Sequence, residues 1–205
     1  VAAQGRNVKV VLMRTYLALL AAGKRLWDEA RRLKIEPNPA DPYMTLVGYF
    51  NALRELGGSR RIVEDEVTAR LQDYGTRRRR VDDPAPLFAN RPRLTQPSEL
   101  TSREPTNRVS ETKRCLALPF SDSDHVDVAL ATNMISVGLD ITRLGLMVVT
   151  GQPKPAAAYI HATSRVGPSP DRPGLVLPLL NIPPPRDRSH HTRFATSHAP
   201  FHPVV

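Results

Sequence analysis

The chain has 205 residues, which is enough for one hydrophobic core of ordinary size. Its 29 Lys and Arg residues outnumber its 20 Asp and Glu residues, which gives a net charge of +9. This charge favours a polyanionic partner such as nucleic acid. An arginine-rich coding bias would raise the net charge in the same way. The single cysteine, Cys115, excludes an internal disulfide framework and predicts a reducing, cytoplasmic location. No apolar run reaches the roughly 18 to 20 residues of a membrane span, so no membrane contact is expected.

The first half of the chain predicts a helix, a buried strand and a second helix. Apolar residues at helical spacing predict one amphipathic helix over 8–33, which ends before three closely spaced prolines. The apolar run 44–50 suits a buried strand, and the pattern over 53–71 suits a helix. Residues 75–97 contain four consecutive arginines, Arg77 to Arg80, and predict a basic insertion without regular structure. The arginine run is either a phosphate contact or a solvated surface.

The second half predicts an alternation of strands and helices. Strands are expected at 98–103, 126–130, 144–149 and 173–179, and helices at 107–118 and 155–166. Pro178 cannot donate a hydrogen bond to a neighbouring strand, so the last of these strands is expected either at an edge of the sheet or with a bulge. The many prolines after residue 168 predict a loosely ordered tail. Alternating strands and helices predict an α/β fold with a parallel sheet and right-handed crossovers.

A polar segment directly after a predicted strand has the pattern A-T-x5-G-x-D. Thr132 and Asn133 leave the strand end, where hydroxyl, amide and backbone N–H groups hold phosphate oxygens. Gly138 permits a close backbone approach, and Asp140 can accept a hydrogen bond from a ribose hydroxyl or orient a neighbouring arginine. A plain βα turn whose aspartate caps the next helix would have the same pattern.

A second segment, 162–167, reads A-T-S-R-V-G and follows a predicted helix. A strand, A-T-x5-G-x-D, a second strand, a helix and S-R-x-G follow each other in the order of motifs V and VI of superfamily 2 helicases. The chain therefore resembles the second RecA-like domain of those enzymes.

The chain resembles most closely the large helicase subunits of the DISARM anti-phage system. The resemblance covers most of the chain and fails mainly in 75–97 and beyond about residue 170. The stretches that carry it are 12–20, 41–51, 53–58, 99–103, 131–140, 143–149, 151–154, 159–160, 162–167, 186–187 and 189–190. It implies an ATP-driven nucleic-acid translocase serving phage restriction, of which this chain is the C-terminal motor lobe.

The resemblance also implies roles for single residues. The implied nucleic-acid contacts are Thr132 and Asn133, with Thr101, Ser102 and Arg103 as a weaker contact. The implied ATP contacts are Gly138, Asp140, His161 and Arg165. The implied catalytic residue is Arg165.

Motif VI of the family usually reads Q-x-x-G/S-R-x-G-R, and both arginines point at the terminal phosphate of the nucleotide. Arg165 matches the first arginine, and a guanidinium there is worth about 10³ to 10⁵ in rate in related phosphoryl-transfer systems. Pro168 occupies the second position and supplies neither the charge nor a backbone N–H. His161 stands where the DISARM proteins carry glutamine. The alternative for Arg165 is a surface arginine at a helix end.

The 205 residues contain no G-x-x-x-x-G-K-[ST] loop. We therefore expect ATP and Mg²⁺ to be shared with a P-loop lobe that these residues do not include, and we expect no ATP turnover by this chain alone. The acidic runs 28–29 and 64–66 lack an apolar strand before them, so they are expected on solvated helix faces. No metal site is expected from the four histidines between 190 and 202, because no cysteine or strand accompanies them.

The sequence thus predicts a RecA-like parallel sheet flanked by helices. We expect a helical lead-in at 1–40, the RecA-like helicase C-terminal lobe at 41–180, and a proline-rich, poorly ordered tail at 181–205. The expected nucleic-acid partner is DNA, with RNA left open. An N-terminal RecA-like lobe and other anti-phage subunits are the expected protein partners. The alternative is a non-catalytic nucleic-acid-binding or scaffolding module, or a degenerate helicase fragment, which Pro168 and Pro178 favour.

Overall fold

A parallel β-sheet forms the centre of the fold. The computed structural model describes residues 1, 7–80, 82–132, 141–151, 153, 156–169, 172–181 and 185–193. The strands in these residues are β1 (Leu46–Phe50), β2 (Ser98–Leu100), β3 (Val128–Ala131), β4 (Leu146–Thr150), β5 (Pro168–Ser169), β6 (Arg172–Pro173) and β7 (Leu175–Leu179). The sheet has the order β2-β3-β1-β4-β7, and every neighbouring pair in it is parallel. Strands β5 and β6 form a separate antiparallel hairpin.

Helices join the strands and cover the sheet. Those described are α1 (Val8–Arg32), α2 (Leu53–Arg61), α3 (Thr68–Leu71), α4 (Tyr74–Arg78), α5 (Thr106–Ala117), α6 (Ala156–Thr163) and α7 (Pro185–Thr192). The side chain of Asn7 caps α1 by accepting a hydrogen bond from the Lys9 N–H, and Arg31 and Arg32 in its last turn complement the helix dipole. A π-helical segment, Ile62–Val67, joins α2 to α3. None of the described helices is both long enough and apolar enough to cross a membrane.

The sheet is buried on both faces, as parallel sheets usually are. All residues of β1 are buried. Because side chains alternate along a strand, Leu46 and Phe50 pack on one face with residues of α1, α2 and the π-helical segment. Val47 and Tyr49 pack on the other face with residues of α5 and α6. The core therefore has two apolar layers with the sheet between them.

Helix α1 packs against the sheet at a glycine. Tyr16 is fully buried, and its hydroxyl oxygen would lie only 2.0 Å from a Cβ atom added to Gly48. This hydroxyl has no hydrogen-bond partner among the described residues, and burial raises the pKa of Tyr16 well above its ordinary value. Close packing rather than a polar contact therefore sets the distance between α1 and β1.

The predicted basic insertion, 75–97, is tied to the sheet. The prediction of no regular structure is wrong for residues 75–78, which belong to α4; after α4, the described part of this segment has no helix or strand. Arg91 is 2% exposed, forms an ion pair with Asp127 and donates to the Met44 carbonyl at 2.9 Å. The backbone N–H of Thr95 also donates to the Asp127 carboxylate, at 2.6 Å. These bonds hold the segment against the amino ends of β1 and β3.

The predicted α/β fold with a parallel sheet is confirmed. The helix expected at 8–33 is α1, and the helix expected at 53–71 is present but contains the π-helical segment. Strand β7 lies at an edge of the sheet, which is one of the two alternatives that Pro178 predicted. Helix α7 lies within the stretch predicted as a tail, of which residues 194–205 lie outside the described part of the chain.

Substitution of Gly48 by Ala is expected to lower the free energy of unfolding by about 3 kcal/mol, because the added methyl group overlaps the Tyr16 hydroxyl. The Y16F variant is expected to be as stable as the unmodified chain or up to about 1 kcal/mol more stable, since a buried hydroxyl without a partner is removed. Urea unfolding followed by circular dichroism measures both effects.

The double variant provides the control for this packing argument. In the Y16F background, G48A is expected to cost less than it does alone, because the atom nearest the new methyl group is gone. An equal cost of G48A in both backgrounds would contradict the assignment of the clash to the Tyr16 hydroxyl.

Candidate functional site

The strands of the parallel sheet all end at one edge, the carboxyl edge, and start at the opposite edge, the amino edge. Asn51 follows β1, Thr101 follows β2 and Thr132 follows β3 at the carboxyl edge. The Thr132 N–H donates to the Leu100 carbonyl at 3.3 Å, which ties the ends of β2 and β3 together. Two predicted nucleic-acid contacts, Thr101 and Thr132, are therefore neighbours, whereas Asn133 lies outside the described residues.

The predicted nucleic-acid contacts differ in exposure. Thr101 is fully buried, and its hydroxyl donates to Glu99 at 2.7 Å. Thr132 is 8% exposed, whereas Ser102 and Arg103 face solvent. Arg103 is therefore the charged group of this set that a polyanion can reach from outside.

A buried carboxylate that no sequence motif indicated organises this corner of the sheet. The side chain of Glu99 is 3% exposed and accepts hydrogen bonds from Nε and Nη2 of Arg103. Arg60 of α2 donates to the same carboxylate at 3.3 Å and to Glu64 at 2.8 Å. These four charged residues, called the Glu99 cluster, link α2 and the π-helical segment to the end of β2.

Glu99 is ionised in the folded protein. Burial raises its pKa, but hydrogen bonds from Arg103, Thr101 and Arg60 together lower it by more, so the pKa of Glu99 lies below its ordinary value. The hydrogen bond to Glu99 in turn raises the pKa of the Arg103 guanidinium. The only signal for this pair in the sequence is the spacing of four residues between a glutamate and an arginine.

Asn51 and the start of α2 present hydrogen-bonding groups at the same edge. The Asn51 side chain donates to the carbonyls of Thr150 at 3.0 Å and Gly151 at 3.2 Å, which fixes the ends of β1 and β4 relative to each other. Gly151 has a φ of +72°, a conformation that favours glycine. Helix α2 begins two residues after Asn51, and no side chain of the described residues caps its first turn. The first backbone N–H groups of α2 therefore remain available at the carboxyl edge.

Arg165 lies at the amino edge. Helix α6 follows β4 and returns along the sheet, and Arg165 comes two residues after this helix ends. The Gly167 N–H donates to the Leu144 carbonyl at 2.8 Å, just before β4 begins. Arg165 is half-buried, and His161 in the last turn of α6 is exposed.

The predicted site residues thus divide between two edges of one sheet. A strand of five residues is about 13 to 16 Å long, so Thr132 and Arg103 are separated from Arg165 by at least the height of the sheet. Of the other predicted nucleotide contacts, His161 lies on α6, whereas Gly138 and Asp140 lie outside the described residues. No single pocket therefore collects the described members of the predicted site.

The acidic runs belong to helix surfaces, as predicted. Their ion pairs are Lys24–Asp28, Arg25–Glu29, Arg60–Glu64 and Arg70–Glu66. In the arginine run, Arg77 pairs with Asp73 at 2.7 Å, and Arg78 lies over the ring of Tyr74 at 5.5 Å from its centre. Within the described part of the chain, no group of three or more His, Cys, Asp or Glu residues could hold a metal ion.

Comparison with known proteins identifies one relative by sequence. The chain is 41% identical over 198 residues to DISARM protein DrmA of Bacillus paralicheniformis, and the match covers 97% of this chain and 16% of that protein. The chain therefore spans about a sixth of the length of its relative. No protein-family model matches the sequence. The predicted resemblance to DISARM protein DrmA is confirmed.

A solved structure confirms the predicted RecA-like fold. The chain is similar to Saccharomyces cerevisiae Dbp5 bound to RNA and ADP BeF3, with a TM-score of 0.53, 13% identity, and coverage of 92% of this chain and 35% of that chain. The Pyrococcus furiosus Hef helicase domain has a TM-score of 0.45 and 14% identity, with coverage of 85% of this chain and 28% of that chain. At these identities the Dbp5 match establishes the fold alone.

Replacement of Glu99 by Gln is expected to lower the free energy of unfolding by about 1 to 3 kcal/mol at neutral pH, because Arg103 and Arg60 lose their charged acceptor. The folded pKa of Glu99 is below its unfolded value of about 4.3, so its stabilising contribution is complete above that pH and is lost as the pH falls through the folded pKa. The stability difference between the unmodified chain and E99Q is therefore expected to shrink on acidification, which urea unfolding across this pH range measures.

The matched control is E111Q, which removes the exposed carboxylate that pairs with Arg114. This variant is expected to change stability little at any pH, because exposed ion pairs contribute little. A cost of E99Q that stays constant down to strongly acidic pH would contradict the role given to the ionised Glu99.

Proposed function

We propose that this chain, a relative of DISARM protein DrmA over 97% of its length, is the second motor lobe of an ATP-dependent DNA helicase or translocase of anti-phage defence. The observation that carries the proposal is the RecA-like sheet, with polar residues at its carboxyl edge and Arg165 at its amino edge. Such a lobe would contribute one wall of a nucleic-acid groove and one side of an ATP site.

The carboxyl edge supports nucleic-acid binding. The uncapped first turn of α2 presents backbone N–H groups, which bind phosphate oxygens well because the helix dipole favours negative charge there. Arg54 in the same turn is exposed. Glu99 uses Nε and Nη2 of Arg103 and leaves Nη1 for a phosphate. Since Glu99 already orders the Arg103 side chain, binding would cost less conformational entropy than binding by a free arginine.

The amino edge supports a shared nucleotide site. Arg165 would offset negative charge on the terminal phosphate of ATP, and His161 would lie nearby on the last turn of α6. The sequence holds no P-loop, so the triphosphate and Mg²⁺ would be held mainly by a second, P-loop lobe. ATP supplies the free energy for movement when it is bound between two such lobes. Closure and reopening of the lobes would then move the protein along DNA.

A second candidate function is nucleic-acid binding without motor activity. The specific observation that favours it is Pro168, which stands where motif VI carries its second arginine. The same carboxyl edge would serve this function. The two candidates therefore differ in the nucleotide site and not in the nucleic-acid groove.

Nucleic-acid binding is tested with R103Q. The chain is expected to bind single-stranded DNA with an affinity that falls steeply with salt, and R103Q is expected to weaken binding and reduce the slope of log Kd against log salt by about 1, because one phosphate contact is lost. Fluorescence anisotropy at several salt concentrations measures the slope.

The matched control is R31Q, which removes an exposed arginine near the carboxyl end of α1 without disturbing any ion pair among the described residues. It changes the net charge by the same amount. Equal slopes for R103Q and R31Q would show that binding is a diffuse charge effect and would reject the specific contact at Arg103.

The motor proposal is tested in DrmA itself, with this chain in place of the corresponding segment of its relative. The chimera is expected to hydrolyse ATP in the presence of DNA, and R165A is expected to reduce that rate by about 10³-fold or more. The motor proposal would be rejected, and the binding module favoured, by one combination of results. In it, parent DrmA hydrolyses ATP, whereas the chimera does not, although the chimera binds DNA with the same salt dependence as parent DrmA.

A further inference from the structure

A small cavity lies at the carboxyl edge of the sheet, beside the first turn of α2. It has a volume of about 180 Å³ and is bounded by the starts of α1 and α2, the ends of β4 and β7, and α7. Small-molecule pockets usually have about 300 to 1,000 Å³, so this cavity suits a group of the size of one planar ring system. Its lining residues are Val8, Lys9, Leu12, Asn51, Glu55, Ser59, Thr150, Gly151, Asn181 and Asp187.

One wall of the cavity is apolar. Val8 and Leu12 are four residues apart on α1, so their side chains are neighbours on the same face of the helix. Leu12 is 2% exposed, and Val8 is half-buried. A planar ring that packs its face on this wall removes apolar surface from water, which is favourable.

The rim of the cavity carries one free donor and one free acceptor. Lys9 and Glu55 are exposed, and neither side chain has a hydrogen-bond or ion-pair partner within the described ranges. The Lys9 ammonium lies over α2, since its Nζ would be 3.6 Å from a Cβ atom added to Gly58, three residues after Glu55. An ammonium only donates and a carboxylate only accepts, so the two suit a ring whose edge carries both an acceptor and a donor.

Protein contacts hold the rest of the cavity in place. The Asn51 side chain donates to the carbonyls of Thr150 and Gly151. Asp187 is 3% exposed and accepts from the Asn181 N–H at 2.9 Å. The hydroxyl oxygen of Thr150, however, is buried and has no hydrogen-bond partner among the residues that the structure describes. Buried polar groups are normally hydrogen-bonded, so this lining still lacks a partner.

The cavity adjoins the proposed phosphate contacts. Strand β1 is two strands from β2 in the sheet, so the start of α2 lies roughly 10 Å from the end of β2, near Arg103. Strands β4 and β7 lie beyond β1 in the same direction. A nucleic-acid strand that runs along the carboxyl edge from Arg103 to the first turn of α2 therefore reaches the cavity next.

We propose that the cavity takes one unstacked base of a single-stranded nucleic acid and favours a base with an exocyclic amino group. Glu55 accepts a hydrogen bond from that amino group, and Lys9 donates to a ring nitrogen or a carbonyl oxygen of the same base. A single strand is favoured because a base can leave a duplex only at the cost of its pairing and stacking. This inference rests on the nucleic-acid binding in the proposed function and names its substrate class.

Filling the cavity tests whether a base enters it. V8W is expected to raise the Kd of this chain for an oligodeoxycytidylate of about 12 nucleotides by about 10-fold, because the indole occupies the place of the base. The same variant is expected to leave the Kd for an abasic oligomer of equal length unchanged, since that oligomer has only the sugar–phosphate backbone. The matched control is V10W, at an exposed position of α1 outside the cavity, which is expected to change neither Kd. Fluorescence anisotropy at constant salt concentration measures each Kd.

Removing the acceptor tests the preference for an amino group. The unmodified chain is expected to bind oligodeoxycytidylate about 5-fold more tightly than oligothymidylate, since thymine has no exocyclic amino group. E55A is expected to abolish this preference. The ratio of the two Kd values cancels the general effect of removing a negative charge near the phosphates. D65A, which removes an exposed carboxylate outside the cavity, is expected to keep the preference.

Several results would overturn the inference while nucleic-acid binding itself remains. V8W and V10W could have the same effect on oligodeoxycytidylate binding, or V8W could weaken the abasic oligomer equally while its circular dichroism spectrum is unchanged. E55A could leave the ratio of the two Kd values as it is in the unmodified chain. Displacement of oligodeoxycytidylate by micromolar cytidine would assign the cavity to free nucleosides and overturn its assignment to a strand. Absence of binding of both oligodeoxycytidylate and the abasic oligomer to the unmodified chain would instead reject the proposed nucleic-acid binding and this inference with it.

Discussion

The parallel pairing of β1 with both β3 and β4 is the constraint on which the rest of the structure depends. Its register aligns Leu46 with Val128 on one side and with Leu146 on the other, so the three central strands start at the same level. Because the sheet is buried on both faces, helices must cover each face. On one face, α1 makes this cover through its close contact with Gly48. Because the strands are parallel, polar residues far apart in sequence gather at one edge while the returning helices bring others to the opposite edge.

The sequence predicts the fold because the pattern of apolar residues determines which strands are central. Residues 44–50 and 144–149 are nearly uninterrupted apolar runs, as a strand buried on both faces must be. Thr132 could be placed at the carboxyl edge from the sequence because it follows an apolar run that predicts a buried strand. Glu99 and Arg91 could not be predicted, because a buried charge depends on partners that come from distant segments. A charged residue in a sequence is ordinarily taken as exposed, and only the folded chain shows which charges are enclosed.

Some arginines of this chain are buried and others are exposed, and only the exposed ones can contribute to a nucleic-acid-binding surface. Arg91 and Arg143 are buried and hold separate segments of the chain together through Asp127 and Asp41. Removing one partner of such a buried pair leaves an uncompensated charge, so these arginines are needed for the fold. A net charge of +9 therefore does not measure the strength of a nucleic-acid surface. The informative quantity is the position of exposed cations relative to the edges of the sheet.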